Sequence, residues 1–268
     1  MLIIDIHSHC YPTYDLGQWV RATHANLARW APAPAAVLAV VLADGAGQEY
    51  FRAWRSGRCA LPPGWGMSAD DEPESLRLAG PGAQRLLVVA GRQIVTVERL
   101  EVLAIGVCDL IANGQSFEGT LEAIRVAAGF PVVPWAPGKW LGKRGRMLRA
   151  ALRGAAPGGL ALGDSALRPR GLPKPPGLLF GQRQGLAVLA GSGPLPGAGE
   201  ENQSGCYAAL GDIELDVEAP AASLRAHLAN PALSWRSVGH RNGILTAARR
   251  WTTHARRPAP PAAGRPSA

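Results

Sequence analysis

The stretch "IIDIHSHCYP", residues 3–12, combines an apolar strand with three metal-binding side chains at alternating positions. Asp5, His7 and His9 stand at i, i+2 and i+4, and such residues share one face of a β-strand. Two imidazoles two residues apart are a suitable grip for a borderline divalent metal, and Asp5 could join them or orient a ring. Incidental histidines near a strand end would give the same pattern, and both explanations stay open.

The segments that follow alternate between amphipathic helices and short apolar strands. A helix is predicted over residues 15–30 and a continuous apolar strand over 36–44. Buried strands separated by helices are typical of a parallel sheet wrapped by helices, which is an α/β fold. Residues 84–106 break the rhythm and predict a β excursion with a hairpin turn at Ala90–Gly91, followed by a parallel strand over 100–106.

The alternation of strands and helices resumes in the second half of the chain. The sequence therefore predicts a single domain over residues 1–257. A basic helix is expected over 142–154 and a strand over 159–164. The region after residue 199 is less regular and predicts a strand over 212–218 and two further helices. Residues 258–268 are rich in proline and alanine, so they are predicted to be a disordered tail.

The composition excludes several classes of protein. The chain is 47% hydrophobic and 18% charged, which is typical of a globular protein. The four cysteines form no CxxC pair, so we expect neither a zinc module nor a disulfide framework, and a reducing cytoplasm is the expected location. The longest apolar run, residues 35–43, is too short to span a bilayer, and no signal peptide and no membrane partner are expected.

The net charge of +8 is concentrated partly in the C-terminal region. Six arginines and no acidic residue follow position 240, which is typical of a solvated basic tail. Nucleic-acid binding surfaces interleave basic residues with aromatic ones, and only Trp251 stands among these arginines. A nucleic-acid partner is therefore not expected, and the oligomeric state is not predicted.

Acidic residues recur at other predicted strand ends. Asp44 ends the second strand, Glu101 lies on the strand after the hairpin, and Asp164 ends a later strand. Carboxylates at these places can complete a metal shell or act as general base for a metal-bound water. An Asp at a strand–helix junction can also be a simple helix N-cap, so each position keeps two explanations.

Basic residues gather at a strand-to-helix passage in "PWAPGKWLGKRGRML", residues 134–148. Lys139, Lys143 and Arg144 near a helix N-terminus could hold a phosphate or a carboxylate of the substrate. A solvated basic face would give the same composition. Arg168 stands four residues after the Asp of the next strand, where it could be a second anion contact or an ion-pair partner.

The segment "DIHSHCYP" resembles the first motif of the polymerase-and-histidinol-phosphatase (PHP) family, and also the opening HxH of the amidohydrolase superfamily. The resemblance implies a metal-dependent hydrolase on a distorted (β/α) TIM-like barrel, here with a β-hairpin insertion around residues 84–99. Glu101 is similar to the third-strand Glu of the PHP family, and Asp44 to its second-strand Asp. Gly45, however, replaces the His that usually follows, and no histidine occurs between positions 24 and 227.

The function implied by this resemblance is hydrolysis by a metal-activated water, with Zn, Mn or Fe as the metal. A small anionic substrate, a phosphate ester, is expected because of the nearby basic residues. C–N hydrolysis of the amidohydrolase type is one alternative, and a non-catalytic binding descendant with an incomplete site is another. The expected ligands are His7 and His9 with Asp5, Asp44, Glu101 and Asp164; Glu101 and Asp164 are the catalytic candidates, and Lys139, Lys143, Arg144 and Arg168 the substrate contacts.

Overall fold

The computed structural model describes residues 1–255, which form eleven strands and seven α-helices. The predicted disordered tail, 258–268, lies outside the described residues. No helix in the described part is long and apolar enough to cross a membrane. The strands are β1 Leu2–Ser8, β2 Val37–Asp44, β3 Gly66–Ala69, β4 Ser75–Ala79, β5 Arg85–Val95, β6 Glu101–Ile105, β7 Phe130–Pro134, β8 Ala161–Ser165, β9 Val188–Gly191, β10 Tyr207–Gly211 and β11 Trp235–Gly239. The helices are α1 Leu16–Ala28, α2 Tyr50–Arg55, α3 Phe117–Val126, α4 Gly142–Gly154, α5 Pro176–Arg183, α6 Pro220–Leu228 and α7 Ile244–Ala255.

The strands form one sheet that curves almost into a closed barrel. Its order is β11-β10-β1-β2-β5-β6-β7-β8-β9, with the β3–β4 hairpin attached to β5. Strand β9, at one end of this order, packs against β1 and β10 near the other end. The predicted α/β fold, a distorted TIM-like barrel, is confirmed.

The hairpin insertion predicted around residues 84–99 is wrong, because β5 is a strand of the barrel itself and the hairpin outside the main strand order is β3–β4. The turn after β5 lies at residues 96–100 rather than at Ala90–Gly91. Strand β5 runs without a break through Gly91, because that position is a close approach between strands. A Cβ added at Gly91 would lie 2.6 Å from the Val41 side chain and 3.3 Å from the carbonyl oxygen of Ala104. The true turn contains Arg99 in the left-handed region, with φ of 63°.

Strand β6 runs opposite to its neighbours, so the predicted parallel strand over 100–106 is wrong in direction. It pairs antiparallel with both β5 and β7, whereas β1–β2, β2–β5, β7–β8 and β8–β9 are parallel. The reversal brings the first residue of β6 to the rim where the parallel strands end. The predicted strand over 212–218 is also absent, and β10 forms directly before it.

The core has an inner cluster and two outer layers. Alternate residues of the strands fill the barrel interior, and α6 packs its apolar side against this cluster. Helices α1 and α2 cover one side of the sheet, and α3, α4 and α5 cover another. Helix α1 begins after Asp15, whose carboxylate accepts a hydrogen bond from the Gln18 amide at 2.9 Å.

We expect the Leu103→Ala substitution to lower the free energy of unfolding by about 2–5 kcal/mol, because Leu103 is fully buried in the barrel interior. Leu110→Ala is the matched control, since that leucine is exposed and its loss should cost less than about 0.5 kcal/mol. Urea unfolding of the three proteins measures both values. Equal losses in the two variants would contradict the assignment of Leu103 to a packed interior.

Candidate functional site

A register shift in β1 decides which side chains reach the rim. Asp5 pairs with Val40 and Ser8 pairs with Leu42, so three steps along β1 match two steps along β2. Val40 and Leu42 belong to the outer layer, and Asp5 and Ser8 therefore point to that side. His9 follows Ser8 and points the opposite way. The predicted common face of Asp5 and His9 is wrong, because the bulge re-aims the end of the strand.

His7 and His9 bring their Nε2 atoms together at this end of β1. The two Nε2 atoms are 2.9 Å apart, and His7 Nε2 is also 3.0 Å from the side-chain oxygen of Gln93. Nδ1 of His9 lies 2.6 Å from the carbonyl oxygen of Ala43. A carbonyl can only accept, so Nδ1 of His9 carries the proton and its Nε2 offers a lone pair toward His7 Nε2. By the same rule the Gln93 oxygen accepts from His7 Nε2, so His7 would bind a metal through this nitrogen only with its proton on Nδ1.

Both imidazoles are neutral at neutral pH, which is the state that binds a metal. Burial lowers the pKa of His7 to about 4. Burial, assisted by repulsion from a charged His7, lowers the pKa of His9 to about 3. The contact with the Ala43 carbonyl and the charge of Glu101 work in the opposite direction on His9, but they are smaller effects.

Glu101 lies at the barrel rim, close enough for its charge to act on His9, because β6 runs backwards. It opens β6 and pairs with Val95 at the end of β5, which places it at the rim of the barrel. Its carboxylate is 3.3 Å from Nζ of Lys139, and the Glu101 side chain is 19% exposed. The predicted catalytic carboxylate Glu101 and the predicted substrate contact Lys139 are thus joined in one ion pair at the rim.

Asp5 is brought near the backbone of His7 but not to the converging nitrogen atoms. Its oxygens accept hydrogen bonds from the amides of His7, Ser192 and Gly205 at 3.1, 2.9 and 2.8 Å, and from the Ser192 hydroxyl. Burial raises the pKa of this carboxyl, and those hydrogen bonds lower it by less. Asp5 therefore joins β1 to two distant loops, and its acceptor positions are occupied.

The loop after β9 is held tightly against β1. Gly193 donates its amide to the carbonyl oxygen of His7 at 2.8 Å. A Cβ at Gly191 would lie only 2.6 Å from the Cβ of His7, so a larger residue would push the strands apart. Ser192, in the same loop, donates its amide and its hydroxyl to Asp5.

Asp164 and Arg168 form a buried ion pair, which is one of the two alternatives left by the sequence. Arg168 donates Nε and Nη2 to the two carboxylate oxygens at 2.7 and 2.6 Å. The Tyr207 hydroxyl and the Ser165 amide donate to the same carboxylate at 2.9 and 3.1 Å. The structure does not bring Asp164 to the histidine pair, and its acceptor positions are filled.

Asp44 faces the outer layer beneath α2 rather than the barrel. One carboxylate oxygen accepts the amide of Phe51 at 3.1 Å, and the other is buried without a partner among the described residues. Burial raises the pKa of Asp44 to about 6 against that hydrogen bond and the charge of Arg92. The N-cap residue of α2 is Glu49, whose side chain makes no capping hydrogen bond, so Asp44 satisfies a free amide of the first turn of α2 from the end of β2. This structural role fits Asp44 better than the metal-ligand explanation.

The remaining predicted substrate contacts lie on α4. Lys143 is exposed near the start of that helix, and Arg144 donates Nη2 to the carbonyl oxygen of Gly138 at 3.0 Å. Neither contacts the histidine pair. Lys139, by contrast, forms an ion pair with Glu101 at 3.3 Å.

Gln93 is the contact that sequence reasoning missed. It lies on β5, the third parallel strand, and its side-chain oxygen reaches His7. With the turn predicted at Ala90–Gly91, residue 93 would belong to a separate strand and would not lie at the barrel rim; in the structure β5 is unbroken from Arg85 to Val95. The polarity of Gln93 within the apolar run of residues 86–95 was the available signal.

The donor set fits a single ion with few protein ligands. Two nitrogen ligands with bonds of about 2.0–2.1 Å to one tetrahedral zinc lie about 3.3 Å apart. The two Nε2 atoms are 2.9 Å apart, a hydrogen-bond distance, so they would separate by a few tenths of an ångström to hold an ion. The carbonyl contact of His9 is the usual second contact of a metal-binding imidazole. Within residues 1–255, however, no group of three or more His, Cys, Asp or Glu side chains is arranged to hold a metal.

Comparison with known proteins adds information on the fold. No family profile and no curated protein matches the sequence. The structure is similar to PsfC from Pseudomonas syringae PB-5123, with a TM-score of 0.54 and 12% identity over 94% of this chain and 96% of that one. It is also similar to a two-domain protein from Bacteroides vulgatus ATCC 8482 described as containing a predicted PHP-like metal-dependent phosphoesterase, with a TM-score of 0.50 and 11% identity over 94% of this chain and 69% of that one. The chain therefore shares its overall fold with these two proteins.

We expect Asp164→Asn to lower the free energy of unfolding by about 3–5 kcal/mol, because the change leaves the buried Arg168 charge without a carboxylate. Asp109→Asn is the matched control: its ion pair with Arg52 has the same 2.6 Å separation, but it is exposed and should cost less than about 1 kcal/mol. Thermal and urea unfolding measure the difference. Similar losses in the two variants would show that burial does not set the strength of this pair.

The Asp44→Asn substitution is expected to stabilise the protein in a pH-dependent way. With a folded pKa of about 6 and an unfolded pKa of about 3.9, the folded chain keeps a proton between those values that the unfolded chain has released. The wild type therefore loses about 2 kcal/mol of stability as the pH rises from 4 to 7, and the variant does not. Urea unfolding at both pH values, with the exposed Asp212→Asn as control, measures this. A pH-independent difference would contradict it.

Proposed function

We propose that this protein is a metal-dependent hydrolase, and that His7 and His9 hold its metal at the end of β1. The supporting observation is the meeting of two neutral imidazole Nε2 atoms, 2.9 Å apart, which need to separate by only a few tenths of an ångström to become two ligands of one ion. Imidazole donors suit Zn and Fe, two of the three metals expected from the sequence, whereas Mn prefers oxygen ligands. When bound, such an ion would supply an activated water as the nucleophile.

The protein groups around the pair have separate tasks in this proposal. The Ala43 carbonyl fixes the tautomer of His9, so that Nε2 is the free donor atom. Gln93 orients the ring of His7 and offers a neutral oxygen beside it. Asp5 holds the backbone at His7 and is a positioning residue rather than a ligand. Asp164, paired with Arg168, positions the end of β8.

Glu101 is the proposed proton acceptor, and Lys139 is the proposed substrate contact. Glu101 is the predicted carboxylate whose charge acts on His9, so it lies at a suitable place to take a proton from the attacking water. Lys139 is partly exposed and lies against Glu101, from where its ammonium group can meet a negatively charged substrate. Lys143 and Arg144 would act only at longer range.

A phosphate ester is the proposed substrate class. A cation beside the pair favours an anionic group over a neutral amide. The description of the Bacteroides vulgatus protein as containing a predicted PHP-like metal-dependent phosphoesterase supports the same class, at the level of a shared fold. C–N hydrolysis on this scaffold is the first rival.

A non-catalytic binding protein is the second rival, and one observation favours it. Asp5 and Asp164, two of the carboxylates expected to complete the metal shell, are fully engaged by protein donors. A metal held mainly by two neutral imidazoles binds more weakly than one with several anionic ligands. The rival therefore predicts a site that is empty or catalytically inactive at physiological metal concentrations.

Elemental analysis together with a substrate panel tests the proposal. We expect the purified wild type to contain about one Zn, Mn or Fe per chain, and His7→Ala and His9→Ala to lose most of it, because each removes one of two imidazole donors. Phosphate-ester hydrolysis should fall by roughly 100-fold or more in both variants. His24→Ala and His227→Ala are matched controls on α1 and α6, and they should retain metal and activity.

Each other outcome has a defined meaning. Hydrolysis of cyclic or linear amides without phosphate-ester hydrolysis would replace the substrate class and keep the metal site. Metal binding with no hydrolysis of either class would support the binding protein. Absence of metal in the wild type, with His7→Ala indistinguishable from it in metal titration, would reject the metal site itself.

A further inference from the structure

Positive charge is concentrated in one continuous part of the chain. Residues 123–199 contain eleven basic side chains and a single acidic one, Asp164. That carboxylate is buried against Arg168, so it does not offset the other charges. This segment includes α4 and α5. Of its basic residues, the hydrolase proposal uses only Lys139 as a direct substrate contact.

Helix α4 directs its basic residues to solvent because its other side is buried. Gly145, Leu148 and Leu152 face the core. The basic residues next to them make no ion pair within residues 1–255. We define the basic face as the set contributed by α4, α5 and the loop between β8 and α5: Lys143, Arg146, Arg149, Arg153, Lys174 and Arg183.

Apolar groups are interspersed with this charge. Leu141, at the start of α4, is 72% exposed, and Leu179 on α5 is 40% exposed. Between the two helices lies an apolar slot with a volume of about 170 Å³, whose lining includes Trp135, Trp140 and Arg149. Both leucines belong to the same segment as the cations, so apolar and positively charged side chains are available there to one partner.

We propose that the basic face and its leucines dock on an anionic lipid surface. Lys and Arg side chains are attracted to negatively charged headgroups, while Leu141 and Leu179 enter the boundary between headgroups and acyl chains. This is a peripheral contact, so it requires no membrane-spanning segment. The contact is independent of the hydrolase proposal.

A nucleic acid is a poorer match for the same surface. Single-stranded nucleic acids stack their bases on exposed aromatic rings, but Trp140 is only 8% exposed and lies beneath α4. Exposed leucines gain nothing from a phosphate backbone. The combination of cations with aliphatic side chains therefore favours lipid over nucleic acid.

Vesicle co-sedimentation of the full chain tests this docking. The probes are vesicles of phosphatidylcholine alone and of phosphatidylcholine with about 30 mol% phosphatidylserine, each at about 50 and 200 mM salt. We expect binding to the anionic vesicles only, with a loss of about tenfold or more at the higher salt. The triple variant Arg146→Gln, Arg149→Gln, Arg153→Gln should lose at least roughly tenfold in partitioning.

Two further variants separate this face from a general effect of charge. Arg21→Gln, Arg29→Gln, Arg58→Gln removes the same charge from exposed positions elsewhere and should retain most of the binding. Leu141→Gln with Leu179→Gln keeps the charge and should bind several-fold more weakly. Circular dichroism and melting curves verify that each variant is folded.

Four results would overturn the proposal. They are no binding to anionic vesicles at low salt, equal losses in the two arginine triple variants, no effect of the leucine changes, and tighter binding to a poly-dT oligonucleotide than to vesicles through the same arginines. The last result would assign the face to a nucleic acid.

Discussion

The buried carboxylate of Asp5 is the contact on which the candidate site depends. It lies at the register shift of β1, where it accepts hydrogen bonds from His7, Ser192 and Gly205. These bonds join the first strand to the loops that follow β9 and precede β10, and so close the barrel beside it. A buried carboxylate without hydrogen-bond donors would be strongly unfavourable, and so would buried amides without an acceptor. Asp5 and its donors therefore depend on each other.

The same shift makes the histidine pair. Once Asp5 turns outward, His9 turns to the barrel side and reaches the carbonyl oxygen of Ala43, while His7 is held between Gln93 and the loop at Gly193. The two Nε2 atoms then face each other with little freedom. The proposed metal site thus consists of two neutral imidazole nitrogens at the strand ends. The Glu101–Lys139 ion pair at the rim supplies the charged groups of the proposed reaction.

Much of the fold could be predicted from hydrophobic periodicity, whereas side-chain direction could not. The apolar runs of β1 and β2 and the helical stripe of α4 indicate those elements with their approximate bounds. The bulge in β1 leaves no trace in a pattern of apolar and polar residues, so Asp5 was expected beside His9. The turn predicted at Gly91 was wrong for a related reason. A sequence does not distinguish a glycine required by close strand packing, such as Gly91, from a glycine required by a turn.

The most direct measurement is the anomalous scattering of crystals grown with zinc or manganese. The account predicts one anomalous peak between His7 and His9, at about 2.0–2.2 Å from each Nε2 atom. It also predicts that Asp5 still binds Ser192 and Gly205 in the metal-bound protein. A direct His7–His9 contact with no peak between them, or a metal ligated by Asp5, would contradict the account.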